Sequence, residues 1–164
     1  MYQTLIHIRS WLLEILTHKL GLPLLFFFKK NKPFSFTLEE LSKFNDDTLG
    51  YILAETLVKN NYKLLKNYEQ HDCKHIILDY PMNELGEARM QFYFLGNRHY
   101  SFAVIATVLV CFIIMPEHWK LFRKDIVRGR KSGKLSGINF SELVLQNIDS
   151  IKQKLNIQSH EKAH

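Results

Sequence analysis

The sequence predicts an all-α protein, a compact single-domain bundle of about six or seven helices. Only 7 Gly and 4 Pro occur among the 164 residues, which favours a few long helices over many short strands joined by turns. Hydrophobic residues make up 46% and aromatic residues 13% of the chain, which excludes a disordered protein and provides a core. No segment shows the sustained two-residue alternation of a half-buried strand. The length favours one domain over residues 1–157, followed by a disordered tail at 158–164.

The first 36 residues are expected to form an N-terminal helix and an apolar interfacial segment, ahead of a core at 37–157. Apolar residues follow a helical period from Met1 to Leu20, and Gly21 is a stop signal. The apolar run at 22–28 is followed by lysines. Such a run can lie at a membrane interface, with the ammonium groups among lipid headgroups, or it can be a core segment followed by a solvated turn. Both interpretations stay open.

Local patterns then predict three helices before the middle of the chain. Thr37 and Glu40 form a capping box that begins a short helix. A second helix is predicted from Asp46 or Asp47 to about Lys59, and a third over residues 63–78.

The later part of the chain combines an apolar helix with a basic one. Residues 102–115 form an apolar run of 14 residues that is interrupted only by Thr107. This run is shorter than the roughly 20 residues needed to span a bilayer. They predict a buried core helix or a wall that faces lipid. The amphipathic segment 117–134 carries seven basic residues against Glu117 and Asp125. It is either a solvated helix face or a surface for anionic lipid or the headgroup of an acidic substrate. Aromatic residues are not interleaved among these bases, so nucleic acid is not expected as a partner.

The centre of the chain carries four candidate metal ligands. The sequence runs His71-Asp72-Cys73-Lys74-His75, followed by eleven residues and then Glu87. On a helix, His71 and His75 share a face one turn apart, and Asp72 lies on the adjoining face. Pro81 and Asn83 interrupt that helix, so Glu87 is expected near the start of a second helix. Gly86 would let the two helices approach closely.

This pattern predicts a divalent metal site between two central helices, with His71, Asp72, His75 and Glu87 as its ligands. Zinc is the first expectation, and iron or manganese also suits two imidazoles with two carboxylates. The site could be closed and structural, or it could open to a substrate oxygen and act as a Lewis acid. The alternative is an amphipathic helix that carries two surface histidines. The sequence lacks the further residues that a zinc-protease helix or a His-Asp phosphohydrolase site would need.

The motif His-Asp-x-x-His-x(11)-Glu resembles the signature of the coenzyme Q biosynthesis protein four family. Weaker similarities extend the resemblance over roughly residues 45–157: Asp47–Gly50, Gly86-Glu87, the basic run from Gly129 to Phe140, and Leu155–Ile157. Two features depart from the family pattern. Ile77–Pro81 replaces a Leu-Thr-Gly-like turn, and Phe140 stands where a Trp is more usual.

The resemblance implies a role in ubiquinone biosynthesis, with His71, Asp72, His75 and Glu87 as catalytic as well as metal-binding residues. It implies binding of a polyprenyl quinone precursor or another isoprenoid lipid, and assistance in oxidative C1-decarboxylation of the benzenoid ring. Other quinone-biosynthesis enzymes, the membrane surface and further copies of the chain are the expected partners. Two alternatives remain: a non-catalytic lipid-binding scaffold for the pathway enzymes, or a relative recruited to another isoprenoid or quinone pathway.

No targeting signal is recognised in the sequence, and two distant cysteines favour a reduced compartment. The expected location is therefore the bacterial cytoplasm, and the resemblance implies peripheral association with the inner face of the cytoplasmic membrane.

Overall fold

The computed structural model describes residues 34–158, and this range confirms the all-α prediction. It contains eight α-helices and no β-strand. The helices are α1 (Leu38–Leu41), α2 (Leu49–Lys59), α3 (Glu69–Leu78), α4 (Glu84–Gly96), α5 (Phe102–Ile114), α6 (Trp119–Lys131), α7 (Phe140–Leu143) and α8 (Ile148–Lys154), with a 3₁₀ turn at Pro116–His118. The predicted N-terminal helix, the apolar run at 22–28 and all but the first residue of the predicted tail lie outside the described residues.

The chain divides into two compact units. The described part of one unit comprises residues 34–80 and 131–158, and the described part of the other is 81–130. A single domain over residues 1–157 stays a prediction.

In the 34–80 and 131–158 unit, the helices begin at polar caps. The predicted capping box is confirmed, because the Thr37 side chain and the Glu40 side chain each accept a hydrogen bond from the other residue's backbone N–H. Thr48 caps α2 and also pairs with Asn147 in an isolated antiparallel bridge. The core of this unit is aliphatic and fully buried, with contributions from Leu41, Leu49, Leu53, Leu57, Ile77 and Ile151.

Helix α3 is shorter at its start than the sequence predicted. It begins at Glu69 and not at Lys63. Asn61 and Asn67 have φ values of 55° and 70°, in the left-handed region that interrupts a right-handed helix. The residues between them therefore form a connection, and α3 keeps only the ten residues that carry the histidines.

In the 81–130 unit, α4 and α6 meet backbone to backbone. A Cβ atom on Gly96 would lie 2.1 Å from the Ile126 carbonyl oxygen, and one on Gly129 would lie 2.1 Å from that of Tyr93. Since neither distance leaves room for a methyl group, both positions require glycine. Farther along the same pair of helices, Arg89 donates two hydrogen bonds of 2.9 Å to the buried carboxylate of Asp125.

Helix α5 is apolar all round, yet only one side of it is buried. Val104, Val108 and Cys111 are buried, whereas Phe102 is 76% and Ile113 is 74% exposed. The buried-core interpretation of this helix therefore holds for one side only.

The junction between α5 and α6 is fixed by aromatic contacts. The Trp119 ring stacks on Phe112 at 4.6 Å and donates a hydrogen bond of 2.7 Å to the Phe112 carbonyl. None of the described helices is long and apolar enough to cross a membrane alone. By length and composition only, Phe102–Ile114 and Pro116–Lys131 meet that requirement as a pair bent by 102°.

We expect Gly129→Ala to destabilise the protein by about 1–3 kcal/mol or more, because the added methyl group would collide with the Tyr93 carbonyl. In an uncrowded helix the same change stabilises by about 1 kcal/mol, so the sign of the effect tests the contact. Urea unfolding followed by circular dichroism provides the measurement. Val127→Ala, at a 42% exposed position of the same helix, is the control and should leave the midpoint almost unchanged.

Candidate metal centre

The two motif histidines face each other on α3. The Nε2 atoms of His71 and His75 are 3.1 Å apart, and their rings meet edge to face at 4.8 Å. This agrees with the prediction that they share a helix face one turn apart. Their nitrogen atoms are therefore positioned to bind one ion together.

The orientation of the His75 ring is set by the backbone at the end of α3. Its Nδ1 atom lies 3.2 Å from the Tyr80 carbonyl oxygen. A carbonyl oxygen can only accept a hydrogen bond, so Nδ1 carries the proton. In the neutral ring Nε2 is then unprotonated, and its lone pair points towards His71. A partner that holds the second ring nitrogen in this way is typical of metal-binding histidines.

Tyr80 is held in place by the turn that ends the helix. Asp79 adopts a left-handed conformation with φ of 56°, and the Tyr80 N–H donates to the His75 carbonyl at 3.0 Å. The backbone of Tyr80 thus contacts both the main chain and the side chain of His75. Sequence reasoning did not identify Tyr80, because a backbone carbonyl leaves no signal in the residue type.

The separation of the two nitrogens fits a shared ion. Nitrogens about 2.0–2.1 Å from a tetrahedral zinc would stand roughly 3.3 Å apart, close to the 3.1 Å observed. A hydrogen bond from His71 to His75 would give a similar distance. The donor set, more than this distance, therefore decides whether an ion fits.

Glu87 is the predicted carboxylate ligand on the next helix. It lies in the first turn of α4, which begins where the Asn83 side chain accepts a hydrogen bond of 2.9 Å from the Gly86 N–H. His71 and His75 belong to the 34–80 and 131–158 unit, whereas Glu87 belongs to the 81–130 unit. The roles of Glu87 and Asp72 as further ligands stay predictions from the motif.

Gly86 lies against the chain just before α4, while its predicted role in the approach of two helices stays a prediction. A Cβ atom there would lie 1.8 Å from the Pro81 carbonyl oxygen. Only glycine fits against this carbonyl, so the tight path from Pro81 into α4 depends on Gly86.

A set of two imidazoles and one carboxylate has a characteristic chemistry. Three protein ligands of this type leave a coordination position for water or a substrate oxygen, as in catalytic zinc sites. The same set also binds iron in oxygenases that keep open positions. The residues present therefore fit a divalent ion of either kind.

The cysteines do not add a thiolate to this donor set. Burial is the main cause that raises the pKa of the Cys73 thiol far above its ordinary value. Burial also raises the pKa of Cys111 to about 12. Both groups are thus neutral thiols near pH 7, and Cys73 is a packing residue, as predicted.

Both the sequence and the structure are similar to those of known proteins. The sequence model of the family described as coenzyme Q (ubiquinone) biosynthesis protein Coq4 matches residues 58–161, which include all four predicted ligands. A crystal structure from Nostoc punctiforme, of a protein provisionally described as a ubiquinone biosynthesis protein, is similar with a TM-score of 0.62 and 22% sequence identity. The similarity covers 77% of this chain and 70% of that one; at this identity it supports the fold alone. No curated protein matches the sequence.

We expect both cysteines of the native protein to resist alkylation by iodoacetamide at about pH 8, because raised pKa values leave little thiolate and burial blocks access. Mass spectrometry should show both thiols modified rapidly only after urea unfolding. A Ser150→Cys variant, with its new thiol on an exposed position of α8, should be modified at that residue in the native state. Fast native labelling of Cys73 would contradict the packing described here.

Proposed function

The chain belongs to the coenzyme Q (ubiquinone) biosynthesis protein Coq4 family, and we propose that it acts in ubiquinone biosynthesis as a metal-binding protein at a membrane surface. The observation that carries this proposal is that His71 and His75 face each other on α3, within a motif that also provides carboxylates. The hydrogen bond from His75 to Tyr80 supports it, because a proton on Nδ1 leaves the Nε2 atom of the neutral ring unprotonated, as metal binding requires.

We propose that His71, His75 and Glu87 hold a divalent ion, with Asp72 as a further member of the site. When bound, the ion would supply Lewis-acid polarisation of a substrate oxygen. Zinc suits the donor set, whereas iron or manganese would also allow electron transfer, which zinc does not support.

The proposed substrate class is a polyprenylated hydroxybenzoate. Its ring carboxylate and neighbouring phenol oxygen would bind at the open position beside the three ligands. Exchange of the C1 carboxylate for a hydroxyl releases carbon dioxide and removes two electrons from the ring, so dioxygen or another oxidant must be a co-substrate. The residues of this chain would bind and orient the ring for that step.

The exposed side of α5 is the proposed contact for isoprenoid lipid and for the membrane. Its large apolar side chains include Phe102, Leu109, Phe112 and Ile113. Helix α6, which follows it, is strongly amphipathic and basic, a composition that favours anionic lipid surfaces. We therefore propose peripheral binding at the inner face of the bacterial cytoplasmic membrane, where other quinone-biosynthesis enzymes and further copies of the chain would be the partners.

The same exposed side also favours a second candidate function. A protein that binds an isoprenoid lipid and presents it to pathway enzymes would need the apolar surface without any chemistry at the ion. In that case the ion would hold the fold together. The two candidates differ in what removal of a ligand does to stability.

We expect tag-free protein to contain about one equivalent of a divalent metal, as measured by elemental analysis. His71→Ala and Glu87→Ala should each lose most of it, because each removes one of the three ligand atoms. His118→Ala is the matched control. This histidine lies outside the motif, and its removal should leave the metal content unchanged.

Thermal unfolding of the same variants separates the two candidate functions. Iron or manganese that is lost with little change in the unfolding temperature favours the enzyme. Tightly held zinc whose loss melts the protein favours the scaffold. Protein that contains no metal would overturn the metal-dependent part of the proposal.

We expect Ile113→Asp to weaken binding to vesicles of phosphatidylcholine and phosphatidylglycerol by at least about tenfold, because transfer of such a side chain into lipid is worth about 1.5–3 kcal/mol. Vesicle sedimentation gives the measurement. Val58→Asp is the control: Val58 is 65% exposed, similar to Ile113 at 74%, but lies on α2. Equal losses in both variants would contradict docking through α5.

A further inference from the structure

A cavity in the 81–130 unit has none of the four candidate metal ligands among its described lining residues. Its volume is about 380 Å³, within the range of small-molecule sites. The described residues that line it are Leu95, Gly96, Arg98, Tyr100, Ile126 and Arg130. Arg130 also belongs to the basic helix α6, which is proposed above to contact anionic lipid; the other lining residues are given no role there.

The frame of the cavity is fixed by the helix crossing described earlier. Gly96, which lines the cavity, contacts the Ile126 backbone, and Gly129 contacts the Tyr93 backbone. The Asn97 side chain adds a hydrogen bond of 3.1 Å to the Gly129 carbonyl. The ends of α4 and α6 are thus held together next to the cavity, so its walls do not need to be assembled by a ligand.

Arg98 and Arg130 directly follow residues that form this helix crossing. Arg98 follows Asn97 at the end of α4, with φ of 62°, and Arg130 follows Gly129 in the last turn of α6. A cation is stabilised at the C-terminal end of a helix by the partial charge of its carbonyl groups. The helix ends therefore favour the positive charge of the two arginines that line the cavity.

The two arginines that line the cavity bring positive charge to it. Asp125, the acidic residue of α6, is already held by Arg89. In the part of the chain that the structure describes, neither Arg98 nor Arg130 forms an ion pair. The 81–130 unit carries seven Lys and Arg against four Asp and Glu, so its surroundings are also positive.

We propose that this cavity binds the phosphate group of a phosphomonoester. Two guanidinium groups offer a charge that matches a phosphate dianion, and each has five N–H donors. A carboxylate would balance only one of them. The Tyr100 hydroxyl is a further donor, and Leu95 and Ile126 provide apolar contact for the first carbons of the ester. This site goes beyond the proposed function and does not depend on it.

The test is isothermal titration with hexyl phosphate, a soluble phosphomonoester, at about pH 7.5, where the phosphate is largely doubly charged. We expect one saturable site per chain. Arg98→Gln and Arg130→Gln should each weaken binding at least about tenfold, because each removes hydrogen bonds to a charged group. Arg123→Gln is the matched control, since it removes an exposed charge from the same helix but does not line the cavity.

A second titration distinguishes the two sources of such a phosphate group. Vesicles of phosphatidylcholine, with and without phosphatidic acid, present the phosphomonoester as a lipid headgroup. Binding that depends on Arg98 and Arg130 with hexyl phosphate supports a soluble ligand. The same dependence seen only with phosphatidic acid supports a lipid headgroup.

Two results would overturn the proposal: no saturable binding to either probe, or equal weakening in Arg123→Gln, which would indicate diffuse attraction to a basic surface. His75→Ala separates this site from the metal centre. We expect that variant to retain full affinity for the phosphate probe even where its metal is lost, so the two proposals can fail independently.

Discussion

The candidate metal centre depends on one local contact, the hydrogen bond from the His75 Nδ1–H to the Tyr80 carbonyl. That contact exists because Asp79 adopts a left-handed conformation at the end of α3, which an aspartate tolerates better than most residues. Lys152 donates to the Asp79 carboxylate at 2.6 Å, so the turn is also tied to α8. The ring of a proposed ligand is therefore oriented by backbone geometry and by a distant lysine, within a single unit of the protein.

The 81–130 unit is organised by a different constraint, the backbone contact of α4 with α6. At such short distances no side chain separates the helices at Gly96 and Gly129. Polar groups that become buried there must be paired, and the two hydrogen bonds between Arg89 and Asp125 meet that requirement. Loss of one partner from a buried ion pair typically costs about 3–5 kcal/mol, because a charge is left buried alone. The crossing is thus specified twice, by shape and by charge.

Local patterns in the sequence were enough to predict much of this fold. The capping box at Thr37, the end of α2 near Lys59 and the helix start before Glu87 depend on residues a few positions apart, and all three are present. The predicted start of α3 at Lys63 was wrong. The residue types between Lys63 and Tyr68 do not by themselves show that Asn67 has a positive φ. The exposure of α5 could not be predicted either, since it depends on what packs against each side.

The two ends of a helix favour opposite charges, which bears on where the motif places its proposed metal ligands. His71 and His75 lie on a ten-residue helix, with His75 in its last turn, and the partial negative charge of that end favours a cation nearby. Glu87 lies in the first turn of α4, where the partial positive charge favours a carboxylate. Asp72 lies in the first turn of α3, where a carboxylate is favoured in the same way, but on the face that adjoins His71 and His75. In the proposed ligand set, the eleven residues before Glu87 place its carboxylate at a second helix start, where the helix favours its negative charge before any ion binds.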